Sequence, residues 1–141
     1  MEPMLVAKEN VPMVLELVGS EIEEIMDTFV FGGDSYLQVV QDLYGAARQL
    51  WILPSEENIV QGWLITQIYV MPNEKRLIFD MFGGKDFEVL IEKLPIIEDW
   101  ARQLGATEAL AIARPGLRRK LKPYGFRHIS DIVVKPLSGV H

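Results

Sequence analysis

The chain contains no cysteine and only two histidines, His128 and His141, among its 141 residues. The absence of cysteine excludes disulfides, thiolate zinc sites and a cysteine nucleophile. Two histidines, one of them the last residue printed, are too few for a histidine-rich metal site or for a Ser–His–Asp arrangement that could be argued from sequence. We therefore predict no metal ion.

Long hydrophobic runs are also missing. No apolar stretch approaches the roughly 20 residues that span a bilayer. Residues 1–10, MEPMLVAKEN, lack the basic segment followed by a long apolar run that is typical of a signal peptide. These absences predict no membrane contact, and we expect a cytoplasmic location in a host cell, or a virion-associated one if a phage encodes the chain.

Positive charge is scarce overall. The chain has 14 Lys and Arg against 20 Asp and Glu, a formal net charge of −6 and a pI of about 4.9. A general nucleic-acid binder needs excess Lys and Arg to displace phosphate counterions, so we expect no nucleic-acid partner. A small anionic ligand on a local basic patch remains open.

What is present is typical of one globular domain. Hydrophobic residues make up 49% and charged residues 24% of the chain, with no repeat, linker or low-complexity segment. At this length a folded chain buries roughly two-thirds of its surface, which is enough for a real core. We predict a single domain over residues 1–141.

Hydrophobic periodicity and turn residues predict ten elements in the order β–α–α–β–β–β–α–β–α–β. The predicted elements are Met4–Ala7, Asn10–Met26, Tyr36–Arg48, Gln49–Leu53, Ile59–Met71, Arg76–Phe82, Phe87–Leu104 with a kink or split at Pro95, Glu108–Ala113, Pro115–Lys122 and His128–Val134. An antiparallel meander followed by a β–α–β crossover indicates an α/β fold, with a mixed sheet and helices on both faces. The acidic run Glu21–Glu24 is expected to be a solvated helix face.

The stretch Leu110–Phe126 reads LAIARPGLRRKLKPYGF. It resembles the penultimate strand, short helix and closing Gly-Phe turn of the Gcn5-related N-acetyltransferase (GNAT) family. The order of elements is similar to that family over nearly the whole chain. The resemblance implies the GNAT fold, whose central sheet is mostly antiparallel, and acetyl-coenzyme A as the cofactor.

In that family the coenzyme pyrophosphate lies at the helix after the fourth strand, in a loop reading Gln/Arg-x-x-Gly-x-Gly/Ala. The stretch here that matches it is Met81-Phe82-Gly83-Gly84-Lys85-Asp86-Phe87, which has glycines but neither the leading Arg or Gln nor the glycine spacing. Candidate cofactor contacts are therefore Met81, Phe82, Gly83, Gly84 and Lys85. The alternative interpretation is a simple strand-to-helix turn.

Two catalytic candidates follow from the resemblance. Many members carry a tyrosine, the general acid, four residues before the glycine of Gly-Phe, where this chain has Leu121. Tyr124 is a candidate only if the local register shifts, and otherwise packs the helix end on the sheet. Asp80 is the candidate base, with a side chain expected opposite to those of Phe79 and Met81, or else a solvated strand residue.

The segment Pro115–Lys122 is basic in an otherwise acidic chain. Arg114 and Arg118 lie one turn apart and are candidates for the coenzyme 3′-phosphate. A solvated face or a contact with an acidic protein is the alternative. An edge strand is a second candidate for a protein contact.

Three functional hypotheses remain open. One is an active acetyl-coenzyme A-dependent N-acetyltransferase acting on an unidentified amine. The second, which we place ahead of the first, is a non-catalytic accessory protein. Small, divergent acetyltransferase-like proteins occur in bacteriophages, including as virion components. This chain is similar to them in its short length and in its altered coenzyme loop. The third is a regulatory module that binds another small ligand where the fourth and fifth strands part.

Overall fold

The computed structural model describes residues 2–27, 35–55, 59–113, 115–131, 133 and 135–137. Its strands are β1 Met4–Leu5, β2 Gln49–Pro54, β3 Val60–Val70, β4 Lys75–Gly84 and β5 Ala106–Ala111. Its α-helices are α1 Val11–Asp27, α2 Tyr36–Tyr44, α3 Phe87–Glu92, α4 Leu94–Gln103 and α5 Pro115–Leu121. Two short 3-10 turns, Lys8–Asn10 and Lys122–Tyr124, flank α1 and α5.

The five strands form one mixed sheet in the order β1-β2-β3-β4-β5. Neighbouring strands are antiparallel from β1 to β4, and β4 pairs with β5 in parallel. The α3–α4 segment is the crossover that a parallel pair requires. The predicted meander followed by β–α–β is confirmed, and the described residues contain no helix able to cross a membrane.

Each face of the sheet has its own hydrophobic core. On one face α1 and α2 pack on the sheet, and the buried side chains there include Val14, Val18, Ile22, Val39, Trp63 and Ile65. On the other face α3, α4 and α5 pack, and the buried side chains there include Trp51, Leu64, Phe79, Leu90, Ile97 and Leu121. Alternation along β3, where Trp63 and Leu64 lie in different cores, is the two-residue period of a strand covered on both sides.

Pro95 splits the long predicted helix between α3 and α4. Lys93 ends α3 and precedes α4, whose second residue is Pro95. Proline is tolerated in a first helical turn because its missing N–H would have no partner there. At the other end, Gly105 has a φ of 96° and stops α4, as predicted.

Strand β4 contains a bulge at Asp80. Met81 pairs with Ile65 and Phe79 with Thr66, so Asp80 is the extra residue between two paired positions. The bulge changes the phase of the strand: Phe79 lies in the core under α3–α5, and Met81 lies in the core under α1–α2. The expectation that Phe79 and Met81 share a face opposite to Asp80 was wrong, because one inserted residue inverts the alternation.

The predicted strand His128–Val134 is not observed in the described part of that segment. Residues 126–131 and 133 have no regular structure, while residues 132 and 134 lie outside the described residues. The His128 ring Nε2 lies 2.8 Å from both the Asp131 carboxylate and the Ser130 carbonyl oxygen. The prediction of a strand over His128–Val134 was wrong for the residues described, where His128 bonds within its own segment and no strand is present.

Candidate functional site

Strands β4 and β5 part near the middle of β4. Phe79 is paired with Ala111, the last residue of β5, while β4 continues to Gly84. The second half of β4 therefore has no β5 partner beside it. The opening begins directly after the bulge residue Asp80 and is bordered by α3 on one side and α5 on the other.

Aromatic side chains lie beside this opening on the α3–α5 face. The rings of Phe79 and Phe82 have centroids 5.8 Å apart, and Phe82 and Phe87 have centroids 5.7 Å apart at nearly a right angle. Phe126, in the chain after α5, lies 6.1 Å from Phe79. Such tilted and edge-to-face contacts are favourable arrangements for aromatic pairs. The four rings form a continuous row from the start of α3 to the segment after α5.

Lys120 joins the two sides of the opening. Its Nζ lies 2.8 Å from the Glu88 carboxylate of α3 and 5.4 Å from the centroid of the Phe87 ring. The hydrogen bond from Lys120, and then its charge, lower the pKa of Glu88. The ammonium therefore bridges α5 to α3 across the row of rings.

The backbone donors at the end of β4 have partners within the chain. Gly84 N–H donates to Glu21 Oε1 at 2.8 Å, and Asp86 N–H donates to the Gln61 carbonyl at 3.0 Å. Gly84 has a φ of 107°, and a Cβ there would lie 2.5 Å from the Gln61 carbonyl oxygen, so glycine is required. Asp86 occupies the N-cap position of α3 without a side-chain cap bond.

The other residues of this stretch differ in their surroundings. Met81 is buried in the core under α1–α2, and Gly83 lies against the indole of Trp63. Lys85 is exposed in the turn before α3. Of the five candidate cofactor contacts, Phe82 lies at the opening and Gly83–Lys85 lie at its end. Met81 lies on the opposite face of the sheet, under α1 and α2.

Asp80 lies in a polar network under α2. Its two carboxylate oxygens accept hydrogen bonds from Gln67 Nε2 at 3.0 and 3.1 Å, and one lies 3.8 Å from the Arg48 guanidinium. Arg48, 9% exposed, also pairs with Asp42 at 3.1 Å. The Arg48 guanidinium and the Gln67 amide both contact Asp80, so this carboxylate is engaged in binding its neighbours.

Tyr124 and Leu121 lie at the end of α5. Leu121 is 1% exposed within the core, whereas Tyr124 is 41% exposed in the 3-10 turn that follows. Gly125 has a φ of 94°, which turns the chain toward Phe126. The expected packing of Tyr124 on the sheet is not observed, because Leu121 takes the inward position of this helix end.

Of the two basic candidates, Arg118 lies in the described part of the chain. Arg118 pairs with Asp131 at 3.6 Å, and Arg114 lies outside the described residues. No group of three or more His, Asp or Glu side chains in the described ranges could hold a metal ion.

Glu21 is a site residue that sequence reasoning missed. The run Glu21–Glu24 was expected to be solvated, and Glu23 and Glu24 are exposed, but Glu21 is half-buried and reaches Gly84. The signal was in the helical spacing, because position 21 falls three residues after buried Val18 and seven after buried Val14.

Comparison with solved structures identifies the same fold elsewhere. No protein-family model matches the sequence, and no curated protein matches it. The chain superposes on a probable acetyltransferase with a TM-score of 0.71 at 12% identity, covering 97% of each chain. A predicted acetyltransferase from Clostridium acetobutylicum, crystallised with acetyl-CoA, gives a TM-score of 0.71 at 12% identity over 99% of this chain and 98% of the other.

A third similar structure is the aminoglycoside acetyltransferase meta-AAC0020 from an uncultured soil metagenomic sample, in complex with sisomicin. It gives a TM-score of 0.67 at 11% identity, covering 96% of this chain and 95% of that one. At these identities the likeness shows the backbone fold alone. The chain therefore has the GNAT-like fold of acetyltransferases, as its element order and the stretch Leu110–Phe126 predict.

Proposed function

We propose that this chain is a non-catalytic protein that keeps an acetyltransferase scaffold and acts through contacts with other proteins. The observation that carries the proposal is the row of aromatic rings beside the opening between β4 and β5. The row Phe79, Phe82, Phe87 and Phe126 lies there, and Lys120 ties α5 to Glu88 across it. In the family that this sequence resembles, the coenzyme arm enters between these strands.

The hydrogen bond from Gly84 to Glu21 supports the same proposal. A coenzyme pyrophosphate needs free N–H donors at the end of β4, and a carboxylate already accepts from this one. The negative charges of Glu21 and Asp86 would also repel a pyrophosphate. Lys85 offsets this charge in part.

The residues at the two candidate catalytic positions also support the non-catalytic proposal. A general base must be free to accept a proton from the acceptor amine, and Asp80 instead binds Gln67 and Arg48. The position of the family's tyrosine acid holds the buried apolar Leu121. Fold alone does not determine activity, since a scaffold persists when its site is lost.

A second candidate is an acetyl-coenzyme A-dependent N-acetyltransferase. The parting of β4 from β5 and the presence of glycines at the β4–α3 junction favour it. In that reaction an amine loses its proton to Asp80 or to water and attacks the thioester carbonyl. The C–N bond forms, the C–S bond breaks, and the departing thiolate takes a proton from Tyr124 or water, while N–H groups near Met81 and Phe82 polarise the carbonyl.

Calorimetric titration with acetyl-coenzyme A separates the two candidates. We expect no binding heat at millimolar coenzyme, for the wild-type protein and for a Glu21→Gln variant that removes the carboxylate charge. Saturable binding below the millimolar range, with release of free coenzyme A when amines are added, would contradict the non-catalytic proposal and establish the second candidate.

A partner is sought separately. The sequence resemblance proposes a virion or another protein assembly as the partner, reached through an edge strand or the basic helix Pro115–Lys122. Co-purification with a particle or a defined protein, unchanged by added coenzyme, is the expected result. A free protein that turns over acetyl-coenzyme A is the opposite result.

A further inference from the structure

Charge is strongly segregated along this chain. Residues 109–130 contain six of the 14 Lys and Arg residues and none of the 20 Asp and Glu residues. By contrast, α1 contains five Asp and Glu residues and no Lys or Arg. The positive and negative charges are therefore unevenly distributed along the chain, which the net charge of −6 does not reveal.

The two charged segments lie on opposite faces of the sheet. Helix α1 buries Val14, Val18 and Ile22 in one core, whereas α5 buries Leu121 in the core on the other side. Their outer surfaces therefore face away from each other. No single molecule can bring these two surfaces together.

On the basic side, some of the cations are free to bind a partner. Arg119, Lys122 and Arg127 are exposed and form no ion pair with another described residue, whereas Arg118 and Lys120 are paired within the chain. Tyr124, 41% exposed, lies between them in sequence. We call Arg119, Lys122, Tyr124 and Arg127 the basic surface.

On the acidic side, one stripe of α1 combines charge with apolar area. Met13 is 60% exposed and Leu17 is 61% exposed, and these two large apolar side chains lie one turn apart. Glu16 and Glu24 are exposed on the same stripe, since 13, 16, 17 and 24 fall within about a third of the helix circumference. We call Met13, Glu16, Leu17 and Glu24 the acidic surface.

We propose that the basic surface of one molecule binds the acidic surface of a second copy of the same chain. The charges are opposite, and each surface offers apolar side chains, Tyr124 on one and Met13 with Leu17 on the other, that an interface centre requires. Because the two surfaces differ, the contact is heterologous, and each bound molecule still presents one free surface of each kind. The protein therefore assembles head to tail into short chains or a closed ring.

This self-association is independent of whether the protein binds coenzyme, because neither surface includes Lys120 or the row of four rings at the β4–β5 opening. Single exposed ion pairs contribute little, so the contact is weak, concentration-dependent and sensitive to salt. Failure of self-association would leave the non-catalytic proposal standing, and coenzyme binding would leave this one standing.

Sedimentation velocity tests the proposal on the full chain. We expect the mean mass of the wild-type protein to rise with concentration at about 50 mM NaCl and to fall at about 500 mM, where the Debye length shortens from roughly 14 to roughly 4 Å. The double variants Arg119→Glu/Lys122→Glu and Glu16→Lys/Glu24→Lys are each expected to weaken self-association at least about tenfold. A control variant, Glu92→Lys, changes an exposed charge on α3 and is expected to behave as the wild type.

The decisive measurement mixes the two double variants. One keeps an intact acidic surface and the other an intact basic surface, so together they are expected to form a one-to-one complex that grows no further. Circular dichroism melts of both variants check that each is folded before mixing. A wild-type protein that stays monomeric at high concentration and low salt would overturn the proposal. So would association lost in only one of the two variants, because the sensitive surface would then contact a different part of the second copy.

Discussion

Glu21 of α1 accepts a hydrogen bond of 2.8 Å from the backbone N–H of Gly84, the last residue of β4. The two residues are 63 positions apart in sequence, so the bond fixes the helix on one face of the sheet to the strand end beside the β4–β5 opening. A carboxylate–amide bond in a half-buried place is stronger than a neutral one. The contact therefore contributes to the stability of the fold. It also occupies the Gly84 N–H, a donor that an anionic ligand at this place would need.

Replacing Glu21 by alanine is expected to lower the free energy of unfolding by about 1–2 kcal/mol, because the Gly84 N–H loses its charged acceptor. Urea denaturation measures the change. Glu24→Ala is the matched control on the same helix, and its exposed side chain should leave stability within about 0.5 kcal/mol. Equal effects of the two substitutions would argue against the bond.

Gly84→Ala is expected to destabilise the protein by about 2–4 kcal/mol. The residue has a φ of 107°, and the added Cβ would lie 2.5 Å from both the Gln61 carbonyl oxygen and the Gly62 Cα, which are backbone atoms that cannot move aside. Thermal or urea denaturation gives the value. In Gly116→Ala the new methyl group meets no atom within 4 Å in α5, so that control should be neutral or stabilising by up to about 1 kcal/mol.

Thr66→Val is expected to cost about 1–3 kcal/mol. The Thr66 hydroxyl, fully buried, accepts from Trp51 Nε1 at 3.0 Å and donates to Gln49 Oε1 at 2.9 Å. Valine has nearly the same shape but leaves the buried indole N–H without an acceptor. Thr107→Val removes only an exposed hydroxyl with a contact of 3.4 Å, so denaturation should show little change in that control. A neutral Thr66→Val would mean that water replaces the hydroxyl.

Glu98 gives a pH-dependent prediction. Burial raises the pKa of its carboxyl, and Arg102 one turn later opposes that shift only in part. A carboxyl whose pKa is higher in the folded state favours folding below its unfolded pKa, and this benefit is lost as the pH rises through the folded value. Glu98→Gln should therefore be more stable than the wild type near pH 7, with the difference vanishing below about pH 4. Paired melting curves across that range check the sign, and a difference that grows in acid would contradict it.

The order of elements was predictable because it depends on local signals. Apolar periodicity gave α1 and β3 to within two residues, and Pro95 gave the break between α3 and α4. Gly105 gave the end of α4. These features are determined by interactions between residues close together in sequence, so they can be predicted from the sequence.

The site was less predictable because long-range geometry builds it. The Asp80 bulge appears only when β3 and β4 are paired, and it decides which side chains enter the β4–β5 opening. The ring contact between Phe79 and Phe126 joins residues 47 positions apart. The predicted strand His128–Val134 shows another limit: strand propensity is a weak local signal, and the described residues there pair with no other strand.

The bulge at Asp80 also determines how this strand would respond to a change of length. Because Phe79 and Met81 already lie on opposite faces of the sheet, a one-residue deletion at Asp80 would restore regular alternation and keep Met81–Gly84 on the faces they occupy now. Phe82 would stay in the row of rings, and Gly83 would stay against the Trp63 indole. The deletion would remove the carboxylate that Gln67 and Arg48 contact, so the extra residue serves the polar network under α2.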